Sequence, residues 1–170
     1  MDLGDRIIKV NHAGEHGAIN IYSGQILMAG FTARSMVGQL AEFRSEEQKH
    51  RAIFQAELQR RGRPRCRSYG LCGIGGYLLG LITGLLGPSA IAATTVAVES
   101  IVLKHLEHQL ATLGDRDPEA TAAISAIVSE EREHHEQSEV HLEGHQRWRA
   151  MIEPVVSAST EAVIWLGMRL

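Results

Sequence analysis

The fold is decided by two short stretches of sequence, EQKH at residues 47–50 and EREH at residues 131–134. In each stretch a glutamate and a histidine stand three residues apart, a spacing that places both side chains on one face of an α-helix. A single glutamate precedes each stretch at the same distance, because Glu15 lies 32 residues before Glu47 and Glu99 lies 32 residues before Glu131. The pattern predicts a duplicated set of metal ligands carried by four helices.

The chemistry of this set indicates which metal it would hold. One Glu from each of two helices, with Glu-x-x-His from each of two others, is the ligand set of ferritin-like bundles that bind two iron or two manganese ions. Carboxylate oxygens with two imidazoles and no thiolate suit iron or manganese better than a structural zinc site. One such match could be a chance pair of solvated helix charges, but two matches with equally spaced upstream glutamates favour a site. The sequence predicts two iron ions per chain, with manganese as the alternative.

Length, charge and cysteine content limit the other possibilities. A chain of 170 residues is expected to form one domain, residues 1–170, with a sizeable core. The net charge of −3 gives no general argument for nucleic acid as a partner. Cys66 and Cys72 are the two cysteines, which indicates idle thiols and a reducing compartment. The first ligand stands at residue 15, so a cytosolic protein without a cleavable leader is expected.

The sequence predicts an all-α fold, because proline is sparse and long segments carry helix formers with recurring apolar positions. Ligand helices are predicted near residues 5–31, 35–61, 89–113 and 118–147, followed by a short closing helix near 150–169. Asp117 and Pro118 give a start signal for the fourth ligand helix. Pro154 is expected to fit only in the first turn of the closing helix. The predicted fold is a ferritin-like four-helix bundle with an added apolar segment and a short C-terminal helix.

The added segment has no formal charge over 31 residues, from Ser68 to Val98. Its length would allow it to span a membrane. However, seven glycines dilute its apolar residues, Pro88 interrupts it, and its distal part must return to the bundle to place Glu99. A helix that lies on one leaflet of a membrane is therefore favoured. A buried hairpin remains the alternative.

Five arginines precede this segment within eight residues, at positions 60, 61, 63, 65 and 67. Cationic side chains beside an apolar helix attract anionic lipid headgroups. No aromatic residues alternate with these arginines, so a nucleic-acid-binding surface is the weaker interpretation of the cluster. Residues 60–88 are accordingly predicted to contact the membrane surface.

Local sequences around the predicted ligands resemble the demethoxyubiquinone hydroxylase family of ubiquinone biosynthesis. The matching stretches are VNHAGEHGA at 10–18, IYSGQ at 21–25, TVAVE at 95–99 and EEREHH at 130–135. The resemblance covers nearly the whole chain. It implies that Glu47 and Glu131 bridge two irons, that Glu15 and His50 complete one iron, and that Glu99 and His134 complete the other.

The resemblance also implies an activity and a location. Members hydroxylate the ring of a polyprenyl quinol with O2, converting 5-demethoxyubiquinol to 5-demethylubiquinol, and draw electrons from an external reductant such as NADH. The implied location is peripheral, on the cytoplasmic side of the bacterial inner membrane at an anionic lipid surface. The implied partners are other ubiquinone-biosynthesis proteins and further copies of the chain, and nucleic acid is not among them.

One position departs from the family pattern. Animal members carry a tyrosine one residue after a histidine in the helix of the third glutamate, where this chain has His105 followed by Leu106. Leu106 stands seven residues after Glu99 and on the same helix face, so it is expected to line the substrate channel. The replacement leaves the route of reduction open.

Several other polar residues remain candidates for roles near the metals. His12 and Tyr22 share the face of Glu15, so each is either a hydrogen-bonding neighbour of a ligand or an ordinary helix or core residue. The remaining histidines are expected to point away from the site or lie on the surface, namely His105, His108, His135, His141 and His145.

Three other classes of ferritin-like protein compete with the hydroxylase. Iron storage would not require the long uncharged insertion. A rubrerythrin-like peroxidase usually carries paired cysteines, and no Cys-x-x-Cys occurs in the chain. A tRNA-modifying hydroxylase could use the arginines but would leave the apolar segment without a purpose.

Overall fold

The computed structural model describes residues 2–142 and 146–169, and within these ranges it contains helices and no strand. The α-helices are α1 Leu3–Thr32, α2 Val37–Arg60, α3 Tyr69–Leu86, α4 Pro88–Leu113, α5 Pro118–Ser125, α6 Val128–Val140 and α7 Gln146–Gly167. Single turns of 3₁₀-helix occur at Arg34–Met36 and Gly114–Arg116. The predicted all-α class is confirmed.

The bundle is formed by α1, α2, α4 and the α5–α6 pair, with α3 packed along α1 and α7 packed along α4. Two apolar layers pack these helices together, one from all four elements and the other from α1, α2 and α4. One layer includes Ile8, Phe54 and Ile124, and the other includes Leu40 and Ile91. In α1, α2 and α4 the predicted ligands fall between the residues of these two layers, so apolar side chains of these helices close the site from both ends.

The fourth ligand helix was predicted as one element over 118–147, and this is wrong. It is broken after Ser125, where the Ile127 N–H donates to the Ile124 carbonyl at 3.2 Å in a tightened turn. Ile127 is fully buried in the first apolar layer, so the break points its side chain into the core. The second half ends at Val140. Residues 143–145, including His145, lie outside the described residues.

The closing helix also differs from its prediction. It begins at Gln146, so Pro154 lies inside the helix and not in its first turn. An internal proline removes one hydrogen bond and costs about 3 kcal/mol. Contacts on both sides of it offset that cost. Arg149 pairs with Glu139 of α6 at 2.9 Å, and Val156 is buried against α4.

The glycines of α3 form its contact with α1. A Cβ atom added at Gly76 or Gly80 would collide with the carbonyl oxygen of Gly17 or Ile21 on α1. Only glycine permits the two backbones to approach this closely. The Thr32 hydroxyl adds a polar link by donating to the Gly84 carbonyl at 2.6 Å. These glycines therefore create a packing face.

The opposite face of α3 is apolar and exposed, with relative exposures between 54% and 67% at Leu71, Ile74, Leu78, Ile82 and Leu85. By length and composition, two stretches are long and apolar enough to cross a membrane, Tyr69–Leu86 and Pro88–Arg116. The second stretch is mostly buried, as expected for a core helix, whereas the first is mostly uncovered.

The arginine-rich segment divides into two groups. Arg60 pairs with Glu57 at 2.7 Å, Arg61 with Asp117 at 2.6 Å, and Arg63 with Asp5 at 2.7 Å. These three arginines join the ends of α1, α2 and α5. Arg65 and Arg67 have no acidic partner within the described part of the chain, so the cationic patch is smaller than the sequence suggests.

Substitution Gly80→Ala should lower the thermal unfolding temperature, because the new methyl group meets backbone of α1 and overpacking of this kind costs about 1–3 kcal/mol. Gly75→Ala is the matched control, since a Cβ there meets nothing within 4 Å. That control should stabilise the helix by about 0.5–1 kcal/mol. Thermal unfolding followed by circular dichroism in detergent measures both. Equal unfolding temperatures for the two variants would contradict the close packing of α3 on α1.

Candidate metal centre

The six predicted ligands come together in the middle of the bundle. Glu15 lies on α1, Glu47 and His50 on α2, Glu99 on α4, and Glu131 and His134 on α6, each at most 6% exposed. They form two overlapping groups, one of Glu15, Glu47, His50 and Glu131 and the other of Glu47, Glu99, Glu131 and His134. Within each group one ligand atom from every residue lies within 4.8 Å of the others. Glu47 and Glu131 belong to both groups.

The two histidines direct the same ring nitrogen toward the shared glutamates. His50 Nδ1 lies 2.9 Å from Glu131 Oε1 and 3.7 Å from Glu47 Oε2. His134 Nδ1 lies 3.2 Å from Glu47 Oε1 and 3.8 Å from Glu131 Oε2. The two halves of the site are thus arranged alike, as the duplicated sequence pattern suggests.

The outer nitrogens of the two histidines contact carboxylates that sequence reasoning missed. His50 Nε2 lies 2.7 Å from Glu130 Oε2, and His134 Nε2 lies 2.8 Å from Glu46 Oε2. The pairing is crossed, because each glutamate comes from the helix that carries the other histidine. A carboxylate on the outer nitrogen fixes the orientation of a ligand imidazole. The available signal was the glutamate immediately before each Glu-x-x-His motif.

Burial and mutual repulsion govern the protonation of the cluster. Burial and neighbouring carboxylates raise the pKa of Glu15 and of Glu99 well above the usual range. Burial also acts to raise the pKa of Glu47, but contacts with His134 and His50 outweigh it and hold that pKa below the usual range. Burial and repulsion therefore favour the protonated form of Glu15 and Glu99 in the metal-free site.

The histidines carry the compensating positive charge. Burial alone would lower their pKa values, yet hydrogen bonds and contacts with the buried carboxylates raise the pKa of His50 to about 11 and that of His134 to about 9. The two imidazoles are thus protonated in the metal-free site. A histidine must be neutral to bind a metal ion, so metal binding requires that both lose a proton.

Unsatisfied atoms indicate that the residues fit metal ions. Both carboxylate oxygens of Glu47 and the Nδ1 atom of His134 are buried and lack a hydrogen bond of acceptable geometry. Buried polar atoms of this kind nearly always have a partner. A cation between Glu47 and His134 would provide one, and four carboxylates with two imidazoles suit iron or manganese.

The two candidate neighbours of the ligands differ. The Tyr22 hydroxyl donates to Glu99 Oε1 at 3.2 Å, and its ring belongs to the core, so it fulfils both roles considered. His12 is only 4% exposed and makes no hydrogen bond to Glu15. Its ring stacks on Tyr69 with 5.0 Å between the ring centroids. Burial and nearby Arg51 lower the pKa of His12 to about 4.

A cavity of about 500 Å³ joins the cluster to the apolar face of α3. Glu15, Glu99 and Glu131 lie in its wall, as does Leu106, in agreement with the prediction for Leu106. Leu71 and Ile82 line the cavity and are also more than half exposed, so the cavity opens on the outer side of α3.

The structure agrees with the expected surface position of some of the other histidines and disagrees for His105. His105 was expected on the surface, but it lines the cavity and its Nε2 atom lies 2.8 Å from Glu161 Oε2 of α7. The packing of α7 on α4 causes this difference, because it covers that side of α4. His135 is partly buried and contacts Ser100, outside the ligand groups. His108 and His141 are exposed, as predicted.

Metal affinity should rise with pH between about 6 and 8. His50 and His134, with pKa values raised to about 11 and about 9, hold protons in this range and must release them before they bind a cation. The raised pKa values of Glu15 and Glu99 act in the same direction. Anaerobic titration with Fe(II) by calorimetry, repeated in buffers of different ionisation enthalpy, measures the proton release. Affinity that does not change with pH, or a stoichiometry of one ion or fewer in folded protein, would contradict the site.

Comparison with known proteins shows the family. Residues 2–167 match the sequence model described as "Ubiquinone biosynthesis protein COQ7". A human relative named NADPH-dependent 3-demethoxyubiquinone 3-hydroxylase, mitochondrial, is 34% identical over 98% of this chain and 77% of its own length. A relative of the same name from Dictyostelium discoideum is 32% identical over 98% and 77%. A relative from Rhodospirillum rubrum named 3-demethoxyubiquinol 3-hydroxylase is 32% identical over 98% and 78%. The chain belongs to the COQ7 family of ubiquinone biosynthesis proteins.

Proposed function

We propose that the chain is an O2-dependent monooxygenase that hydroxylates the ring of a polyprenyl demethoxyubiquinol in ubiquinone biosynthesis. The observation that carries the proposal is the position of the buried carboxylate and histidine cluster at the inner end of an apolar cavity. Membership of the COQ7 family supports the substrate, because the relatives named above are demethoxyubiquinone or demethoxyubiquinol hydroxylases. The reacting carbon would be the one that lacks the methoxy group, numbered 3 in those names.

The proposed ligands are Glu15, Glu47, His50, Glu99, Glu131 and His134, with Glu47 and Glu131 shared by two iron ions. When bound, the iron pair would supply the activation of dioxygen that ring hydroxylation requires. Manganese is the alternative metal. Four ionised carboxylates would offset the full charge of two ferrous ions.

The remaining residues of the cavity hold the substrate and exclude water. Val98, Val102 and Leu106 present an apolar wall beside Glu99, which keeps bulk water from the reacting ring carbon. Tyr22 donates to Glu99 and keeps that carboxylate oriented. The isoprenoid tail would leave past Leu71 and Ile82, where the cavity opens.

The overall reaction requires an external reductant. One oxygen atom of O2 enters the ring C–H bond and the other leaves as water, with two electrons and two protons supplied from outside. A nicotinamide nucleotide is the proposed source. The family resemblance implies a reductant such as NADH, and the names of the eukaryotic relatives specify NADPH.

The iron-loaded protein, given ¹⁸O2, a reductant and a short-tail demethoxyubiquinone, should yield a ring-hydroxylated quinone that carries one labelled oxygen atom. Glu131→Ala should abolish this product because it removes a shared ligand. Glu133→Ala should leave it nearly unchanged, since Glu133 is exposed on the same helix. Mass spectrometry of the quinone gives the result. Oxidation of ferrous iron or consumption of peroxide without label on the ring would reject the hydroxylase in favour of a storage or peroxidase role.

The substrate also requires a membrane surface. A quinol with a long isoprenoid tail stays in the bilayer, and the exposed face of α3 is the surface through which the cavity opens. We propose that this face lies in one leaflet on the cytoplasmic side of the bacterial inner membrane, with Arg65 and Arg67 near anionic headgroups. Other ubiquinone-biosynthesis proteins and a second copy of the chain are proposed as neighbours there.

Binding to liposomes that contain anionic lipid should exceed binding to neutral liposomes and should weaken as salt is added. The double variant Ile74→Asp/Leu78→Asp should bind at least tenfold more weakly, because both side chains are more than half exposed on this face. Val140→Asp is the control, since Val140 is 65% exposed on α6. Co-sedimentation measures the bound fraction. Equal loss in the double variant and the control would argue against α3 as the contact surface.

A further inference from the structure

Two amide side chains form a reciprocal pair in the wall of the cavity. Asn11 Nδ2 of α1 donates to Gln109 Oε1 of α4 at 2.8 Å, and Gln109 Nε2 donates back to Asn11 Oδ1 at 3.1 Å. Gln109 is only 6% exposed, and both residues line the cavity. The two hydrogen bonds fix the orientation of both amide groups.

The pair retains unused hydrogen-bonding capacity. A primary amide has two N–H donors and an oxygen with two lone pairs. The reciprocal pair uses one donor and one lone pair of each side chain. In the part of the chain that the structure describes, the second N–H and the second lone pair of both amides have no protein partner.

Asn11 places one member of the pair about one helical turn from the ligand Glu15. Asn11 precedes Glu15 by four residues on the same face of α1, a separation of about 6 Å along the helix. A six-membered ring with a substituent oxygen on each side has a comparable width. A ring placed beside Asn11 would have an oxygen within reach of the amides and its opposite edge toward Glu15, which lines the same cavity.

Other polar groups of the wall are already engaged. The hydroxyls of Ser159 and Thr160 both donate to the Val156 carbonyl, at 2.8 and 2.9 Å. The Nε2 atom of His105 is held by Glu161. The amide pair is therefore better placed to offer a free donor and a free acceptor together.

We infer that Asn11 and Gln109 bind one ring oxygen of the quinol and thereby determine which edge of the ring faces the carboxylate cluster. The inference rests on the proposed function and adds the residues that orient the substrate. An amide accepts a hydrogen bond from the hydroxyl of a quinol and donates one to the carbonyl of a quinone. One pair can thus hold the substrate in both redox forms, which an ionised carboxylate could not do because it has no donor for the quinone carbonyl.

The test compares a short-tail demethoxyubiquinol with two prenylated phenols, each lacking one of the two ring oxygens. Equilibrium binding is measured on the iron-loaded protein without O2, so that no turnover occurs. The phenol that lacks the oxygen held by the amides should bind about tenfold more weakly than the quinol. The other phenol should lose little affinity.

Two variants remove one amide each while keeping side-chain shape, Asn11→Leu and Gln109→Met. Each should abolish the difference between the two phenols and raise KM more than it lowers kcat. The exchange Asn11→Gln/Gln109→Asn restores an amide pair and should recover part of the difference. A purely structural link between α1 and α4 would alter stability in the single variants without altering the preference between phenols.

Equal binding of the two phenols to the unsubstituted protein, or an unchanged difference in a folded single variant that holds its iron, overturns the inference. If Asn11→Leu does not fold, Gln109→Met carries the test. Failure of the proposed function would look different, because the unsubstituted protein would then neither bind the quinol nor place labelled oxygen on its ring.

Discussion

Four carboxylates from four helices are buried together in the middle of this bundle. Moving an ionised carboxylate out of water costs several kcal/mol unless opposite charge accompanies it. Here that charge comes from the two imidazoles, from retained protons or from bound cations. The rest of the fold serves this arrangement. Two apolar layers close it at either end, and α3 and α7 leave one route of access.

The ligand set and most helix bounds could be predicted because both depend on local periodicity. Helices expected at 5–31, 35–61 and 89–113 are observed at Leu3–Thr32, Val37–Arg60 and Pro88–Leu113. Helical spacing alone puts Glu47 beside His50 on one face, and the duplicated pattern implies that the four helices meet. Leu106 could be placed in the cavity for the same reason.

Features that depend on contacts between distant segments could not be predicted. The break at Ile127 has no glycine or proline to signal it and follows from the burial of that side chain. Pro154 is tolerated inside α7 because Arg149 and Val156 hold the helix on either side. The pairing of Arg61 with Asp117 joins residues 56 positions apart, so the arginine-rich segment looked more cationic in sequence than it is in the fold.

The glycines of α3 show how composition alone can mislead. In the sequence they dilute an apolar run, which weakens the case for a helix that spans the membrane. In the structure Gly73, Gly76, Gly80 and Gly84 lie on the side that meets α1, and the larger exposed apolar side chains lie on the other side. The helix is thus tightly packed on one face and free on the other, and the cavity reaches the surface beside it.

Two crossed pairs connect α2 and α6. Glu46 of α2 contacts His134 of α6, and Glu130 of α6 contacts His50 of α2. Each helix supplies the outer restraint for an imidazole on the other helix, and each also supplies one of the two shared carboxylates. When the four ligands of one group are fixed in place, Glu47 and Glu131, which are two of the four ligands of the other group, are fixed as well. Such an arrangement couples the two halves energetically, so their assembly is a cooperative event of the whole bundle and not two independent ones.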